Sequence, residues 1–141
     1  MKGLETMQSA EESLRNLGIE LPDPVAPKGV YRNVLVSGNM LTTSGHLPAD
    51  PQGNFILGKL GDQLDADAGF AAARRAGLAV LASLREELGS LDRVVRVVKI
   101  LGFVNCTADF TAQPAVINGC SELFRDIFGE EHGVGTRSAV G

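Results

Sequence analysis

Residues 39–48 read Asn-Met-Leu-Thr-Thr-Ser-Gly-His-Leu-Pro, a β-rich run that stops abruptly at a Ser44-Gly45-His46 corner. A strand that ends in a sharp turn forms a rigid platform, and a glycine in the turn lets a ligand approach the backbone closely. Backbone N–H groups exposed at such a turn can hold an anion. This stretch therefore predicts both the end of a strand and a binding site.

The residues on either side predict that this strand belongs to a β-hairpin. Val30 to Val36 is a β-branched and apolar run, and residues 37–39, Ser-Gly-Asn, have the composition of a tight turn before the second run, Met40 to Ser44. After the corner and a turn-forming cluster, Phe55 to Leu60 predicts a short edge strand. The first half of the chain is thus predicted to be mainly β.

The N-terminal residues have a different character. Ser9 and Glu12 form a capping-box pattern for a short helix over residues 9–17, which we expect to be an appendage. Three prolines in residues 21–28 remove backbone donors and predict an extended linker. We therefore predict two parts, an N-terminal segment, 1–29, and a domain, 30–141.

The second half of the chain alternates helices with strands. The apolar periodicity predicts helices over Asp65 to Leu88 and Pro114 to Phe128, and strands over Val94 to Val104 and Val134 to Val140. The order predicts an α+β fold in which two helices pack on one face of a mixed sheet. The strands contain too few polar residues for the sheet face opposite the helices to be exposed to solvent. We therefore also predict oligomerisation, which would cover that face.

Composition narrows the classes of function. A chain of 141 residues fits one domain, and its net charge of −4 comes from mixed acidic and basic residues without a basic block. Six Phe, one Tyr and no Trp leave no aromatic and basic surface for nucleic acid. No apolar run is long enough to span a bilayer and no signal peptide is present, so a cytoplasmic protein is expected. Cys106 and Cys120 lack metal or disulfide spacing, and we predict no metal, no disulfide and no cofactor.

Several segments together carry a resemblance to a known family. They are Tyr31, Asn39 to Pro48, the helix end Leu88-Gly89-Ser90-Leu91-Asp92, the strand Lys99 to Val104, Asn118, and Gly135-Thr136-Arg137-Ser138. In this order and spacing the chain resembles the RidA/YjgF reactive-intermediate deaminase family, also labelled endoribonuclease L-PSP, over roughly residues 30–141. The resemblance implies a chorismate-mutase-like α+β subunit that assembles as a homotrimer, with a site in each cleft between neighbouring subunits.

The resemblance also implies a reaction and the residues that perform it. The reaction is hydrolysis of small 2-imino or enamine acids to 2-keto acids and ammonia. Arg137 would bind the substrate carboxylate, since a guanidinium offers two parallel donors and stays charged when partly desolvated. Gly45 would donate a backbone N–H to the same carboxylate, and Ser44 would hold the corner. Tyr31 would place a hydroxyl at the cleft edge. Asn118 would contact the substrate or form hydrogen bonds with the corner. The simpler interpretation of Arg137 is an ion pair across an oligomer interface.

Some positions depart from the family pattern. His46 stands where many relatives carry Gln; it is a candidate general base, although its side chain is more readily placed away from the pocket. His132 is expected to be a solvated loop residue. Ala139 replaces a cysteine that often lines the site, and the loop over residues 110–118 is longer than in close relatives. The family's last strand bears a glutamate that positions the attacking water, so we expect sequence beyond Gly141 to supply it.

Two alternatives to a deaminase stay open. The first is a non-catalytic trimer that binds small carboxylates, which Ala139 and the altered loop favour. The second is an endoribonuclease, which the acidic balance and the missing basic surface disfavour because phosphate contacts need clustered Lys and Arg.

Overall fold

The computed structural model describes residues 9–141, and residues 1–8 of the predicted N-terminal segment lie outside this range. No helix in the described range is long and apolar enough to cross a membrane. The elements, in chain order, are α1 (Ala10–Leu17), β1 (Val34–Ser37), β2 (Met40–Thr43), α2 (Ala66–Leu88), β3 (Lys99–Phe103), α3 (Gln113–Phe128), α4 (Glu130–Gly133) and β4 (Thr136–Val140).

The helices begin and end where local capping chemistry dictates. The Asp65 carboxylate accepts a hydrogen bond from the Ala68 N–H at the start of α2, and Gly89 ends this helix with a φ of 81°. Pro114 lies in the first turn of α3, where its missing N–H costs nothing, and Gly129 ends the helix. Both predicted helices are confirmed, to within one residue at each end.

Helices α2 and α3 pack directly against each other through small residues. A Cβ added to Gly119 of α3 would overlap the carbonyl oxygen of Phe70, and one added to Gly77 of α2 would contact Leu123 and Cys120. Such an approach excludes any larger side chain at Gly119, because two helix backbones are already in contact there. The helix pair is therefore rigid, and it supports the residues described below.

The strands form two separate ladders within residues 9–141, where the sequence predicts one mixed sheet. Strands β1 and β2 are antiparallel and pair Val34 with Thr43, whereas β3 and β4 are parallel and pair Lys99 with Thr136. Gly102 of β3 lets Ile117 of α3 reach the strand backbone, so α3 covers one face of the parallel pair. The α+β class is confirmed, and the separation of the ladders is the correction.

Several predicted strands are shorter than expected or are not formed, for a common reason. Residues 94–98 precede β3 and are not assigned to the ladder, and the Val97 N–H bonds instead to the carbonyl of His132 in α4. Residues 55–60 make only isolated bridges, at Phe55 and at Leu60. Residues 30–33 precede β1 as bends. Apolar β-branched runs identify extended backbone, but they do not identify its pairing partners.

Helix α1 belongs to the core and is not the appendage that the sequence suggests. Ala10 and Leu14 join the main buried cluster, which also holds Leu81 of α2 and Leu123 of α3. Glu11 accepts hydrogen bonds from Arg85 Nη2 at 2.7 Å, from Arg85 Nε at 3.1 Å and from the Leu91 N–H at 3.0 Å. The ion pair and the buried face together dock α1 on α2.

Candidate functional site

The corner after β2 is held by three hydrogen bonds on Ser44. Its N–H donates to the Asn33 carbonyl at 2.9 Å, its Oγ donates to the Arg32 carbonyl at 2.5 Å, and its own carbonyl accepts from His46 Nδ1 at 2.8 Å. The predicted role of Ser44 in stabilising the corner matches this geometry. The peptide units before and after Ser44 are therefore both fixed before any ligand binds.

Gly45 is exposed and free of steric demands from its own chain. A Cβ added there would meet no atom within 4 Å, and its φ is not in the left-handed region. No hydrogen bond within residues 9–141 uses its N–H. Neither backbone conformation nor packing within residues 9–141 requires a glycine, and no group in that range occupies the N–H.

His46 is tied at both ring nitrogens. Nδ1 lies 2.8 Å from the Ser44 carbonyl, and Nε2 lies 2.9 Å from Oγ of Ser83 on α2. Its ring is half-buried between the corner and the helix. Both ring nitrogens are therefore bonded to groups of the chain itself, and Ser83 is a contact that the sequence did not indicate.

Arg137 lies on β4 and reaches back to α3. Its Nη1 donates to Asn118 Oδ1 at 2.6 Å and to Ser121 Oγ at 3.0 Å. Asn118 and Ser121 are three residues apart, so they lie on one face of the helix. Because both protons of Nη1 are used, the edge formed by Nε and Nη2 keeps its donors. Asn118 was predicted as a site residue; Ser121 was missed, and its position three residues after Asn118 is the signal that could have found it.

The charge of Arg137 has no counter-ion within residues 9–141. The two ion pairs found in that range join Arg85 to Glu11 and Arg125 to Asp126. Arg137 is half-buried, and both of its hydrogen-bond partners are neutral. An interface ion pair, the simpler interpretation of Arg137, would therefore take its carboxylate from outside residues 9–141.

Cys120 lies between Asn118 and Ser121 on α3 and is partly buried. Burial raises the pKa of its thiol to about 12, and the nearby positive charge of Arg137 only partly opposes this shift. The thiol therefore stays protonated at neutral pH and packs as a small apolar group, as the sequence predicts. It is not a nucleophile.

Tyr31 and His132 complete the set of predicted residues. The Tyr31 hydroxyl accepts a weak hydrogen bond from the Lys28 N–H at 3.3 Å, in the segment before β1, and the ring is half-exposed. His132 lies in α4, and its Nδ1 is shielded from solvent without a hydrogen-bond partner among residues 9–141, so the expectation of a solvated loop residue was wrong. The reason is that the short helix α4 folds the ring against the protein.

The structure gathers the predicted residues into two groups. Arg137, Asn118 and Ser121 form one group on β4 and α3, which we call the arginine group. Ser44, Gly45 and His46, with Ser83, form the other, which we call the corner group. The hydrogen bonds within residues 9–141 do not join the two groups, and they place Tyr31 in neither.

These features define a class: an α+β protein with an unpaired arginine and an open backbone N–H, both suited to an anion. Residues 11–139 match the family described as "YjgF/chorismate mutase-like, putative endoribonuclease". The chain belongs to this family, which confirms the resemblance inferred from its motifs.

Individual relatives agree with this assignment. Protein TCP17 of Trypanosoma cruzi is 45% identical over 129 residues, which cover 92% of this chain and 81% of TCP17. The crystal structure of a protein from Shewanella oneidensis MR-1, named a "putative endoribonuclease", gives a TM-score of 0.87 at 32% identity, covering 94% of this chain and 87% of that one. Atu1372 of Agrobacterium tumefaciens, a protein of unknown function, gives a TM-score of 0.82 at 35% identity, covering 94% and 82%.

Proposed function

We propose that the protein hydrolyses small 2-imino or enamine acids to 2-keto acids and ammonia. The observation that carries this proposal is Arg137, a half-buried guanidinium bonded only to neutral acceptors. A partly desolvated cation without a counter-ion binds an anion favourably, and the free Nε–Nη2 edge matches the two oxygens of a carboxylate. Every substrate of this class carries such a carboxylate.

The reaction needs binding and orientation more than a reactive side chain. An enamine first tautomerises to the imine, as its terminal carbon gains a proton and its nitrogen loses one. Water then adds to the carbon of the C=N bond, the nitrogen takes a proton, and ammonia leaves as the C=O bond forms. Holding the substrate by its carboxylate aligns the imine carbon for this attack, and positioning of this kind can lower a barrier by several kcal/mol. Arg137 would bind the carboxylate, the Gly45 N–H would donate to it, and Tyr31 would place its hydroxyl at the cleft edge.

The two groups would come together between subunits of a homotrimer. In the single chain, the strand pair β3–β4 leaves Leu101 and Phe103 exposed, the latter by 73%. Apolar side chains alternating out of a strand in this way are suited to burial against a second copy. Such an assembly would bring the corner group of one subunit next to the arginine group of its neighbour.

The test is to generate 2-aminoacrylate in situ with a dehydratase and to time keto acid formation. Arg137→Ala is expected to abolish the acceleration and to keep the oligomer intact. Arg137→Lys is expected to recover little, because it keeps the charge and loses the two-pronged donor. The matched control is Arg125→Ala, which removes a surface arginine paired with Asp126 and should leave the rate unchanged. Equal rates for the wild type and Arg137→Ala would overturn the proposal.

A second candidate is a non-catalytic trimer that binds small carboxylates. It is favoured by Ala139, which packs on the buried cluster around Ile117 and leaves no thiol beside Arg137 on β4. This candidate predicts that pyruvate raises the melting temperature through Arg137 and that no turnover occurs. Keto acid formation that depends on Arg137 would exclude it.

RNA cleavage is the activity that the family description names. The net charge of −4 argues against it, because affinity for RNA rests mainly on basic side chains at the phosphates. A ribonuclease activity that co-purifies through several steps and disappears in Arg137→Ala would support it. Activity that separates from the protein would not.

A further inference from the structure

Ser83 is a polar side chain in a buried stretch of α2. It is 2% exposed and lies among Leu81, Ala82 and Leu84, all of which are buried. A buried hydroxyl without a partner costs free energy, so its partner is informative. That partner is Nε2 of His46, at 2.9 Å.

The hydrogen bonds determine which nitrogen of His46 carries the proton. The Ser44 carbonyl can only accept, so Nδ1, 2.8 Å away, must be the donor. In the neutral ring Nε2 is then the acceptor, and the Ser83 hydroxyl donates to it. A continuous chain of bonds thus runs from the rigid helix α2 through His46 to the carbonyl of Ser44.

That carbonyl and the Gly45 N–H belong to the same peptide unit. The unit is planar and trans, so the C=O and the N–H point in opposite directions. Fixing the carbonyl towards His46 therefore aims the N–H away from His46. A donor on the carbonyl also polarises the amide and strengthens its N–H as a donor.

We propose that Ser83 and His46 are positioning residues that set the direction of the Gly45 N–H for a substrate carboxylate. The inference rests on the proposed function, because it assigns a purpose to the N–H that the carboxylate would use. Neither side chain touches the substrate; both act through the Ser44–Gly45 peptide.

The proposal predicts a particular kinetic signature. The Gly45 N–H would bind the carboxylate equally in the ground state and in the transition state, so its misalignment raises KM and leaves kcat nearly unchanged. Loss of one hydrogen bond from the series that joins Ser83, His46 and Ser44 corresponds to a rise in KM of roughly 2- to 10-fold. Ser83→Ala is expected to show this rise with 2-aminoacrylate and to weaken pyruvate binding by a similar factor.

Two further variants make the test independent of folding defects. His46→Asn keeps a donor near the Nδ1 position and cannot reach Ser83, so it should raise KM as Ser83→Ala does. The double variant should add little to either single change, since both break the same chain of bonds. Ser13→Ala is the matched control: Ser13 is the other buried serine in the described range, and its loss should affect stability but not KM.

The amide proton of Gly45 gives a readout that does not depend on activity. Its NMR shift should change in Ser83→Ala and His46→Asn, because the Ser44–Gly45 peptide is no longer held in place from α2, and should stay constant in Ser13→Ala. If Ser83→Ala and His46→Asn lower the melting temperature but leave KM, pyruvate affinity and the Gly45 shift unchanged, Ser83 and His46 have a structural role only. That result would overturn this inference alone. Pyruvate binding that survives Arg137→Ala would instead overturn the proposed function, and this inference with it.

Discussion

At the residue scale, a substitution at Gly45 should affect ligand binding without affecting the stability of the fold. Among residues 9–141 there is no steric or conformational reason for a glycine at this position. Gly45→Ala should therefore leave the melting temperature within about 2 °C of the wild type, as surface substitutions usually do. A methyl group beside the N–H should block the carboxylate and raise KM by about 10- to 100-fold, the cost of losing a hydrogen bond to a charged group. Thermal melting and steady-state kinetics on one preparation would check both, and an unchanged KM would contradict this role.

Asn118 allows the charge of Arg137 to be neutralised without changing the shape of the site. Asn118→Asp is nearly isosteric and places a carboxylate 2.6 Å from Nη1, where the amide oxygen now lies. The internal ion pair should compete with the substrate and lower kcat/KM by at least about tenfold, while stability holds or rises. Asn16→Asp, on the exposed side of α1, adds the same charge away from the site and is the control. If kcat/KM is unchanged in Asn118→Asp, the unpaired charge of Arg137 is not what binds substrate.

The site residues that the sequence predicted are more unusual in their segments than those that it did not predict. An arginine or a Ser-Gly corner is unusual enough in its segment to attract attention, and Asn118 is a polar residue on an otherwise apolar helix face. Ser83 and Ser121 are small, common residues whose roles depend on partners 37 and 16 positions away in the chain. Contacts of that separation exist only after folding, so no local pattern indicates the role of Ser83. The position of Ser121, three residues after Asn118, marks it only once Asn118 is taken as a site residue.

At the scale of elements, the helices were predictable because their signals are local. Caps and periodicity lie within a few residues of the structure that they specify, as at Asp65 and Gly89. The extents of the strands were not predictable, because a ladder needs a partner whose position depends on the whole chain. The docking of α1 was also missed, since it depends on Arg85 and Leu91, far from Glu11 in sequence.

The docking of α1 should depend on pH. The hydrogen bond from Arg85, first among the causes, holds the pKa of Glu11 below its usual value of 4.5. A carboxyl with a depressed pKa stabilises the folded state above the unfolded value, and this contribution is lost as the pH falls through the lower, folded value. Glu11→Gln should thus be less stable than the wild type at pH 7, and the gap should close below about pH 4.5.

Thermal melts of the wild type and of Glu11→Gln from pH 7 to pH 3 would measure this difference in stability. Glu12→Gln is the control, because Glu12 is the exposed neighbour of Glu11 on the same helix. Its melting temperature should follow the wild type throughout. A gap for Glu11→Gln that stays constant across the range would show that the side chain contributes by packing and not by its charge.

At the scale of the whole molecule, the two groups of site residues pose a question of assembly. The arginine group is fixed to α3 and the corner group is fixed to α2, and their hydrogen bonds do not join them within residues 9–141. If each cleft takes one group from each of two neighbouring subunits, two inactive variants can complement each other. If both groups of a cleft come from one chain, they cannot.

The decisive experiment mixes Arg137→Ala subunits with Gly45→Val subunits, each expected to be inactive alone at substrate concentrations near the wild-type KM. Refolded or co-expressed at equal amounts, the chains assort at random, and about a quarter of the clefts in a cyclic trimer receive an intact arginine group from one subunit and an intact corner from the next. Keto acid formation should recover to roughly that fraction of the wild-type rate. Simple mixing of preformed oligomers without exchange is the control and should recover nothing. Inactivity of the co-assembled trimers would place the two groups of each cleft on a single chain and refute the shared site.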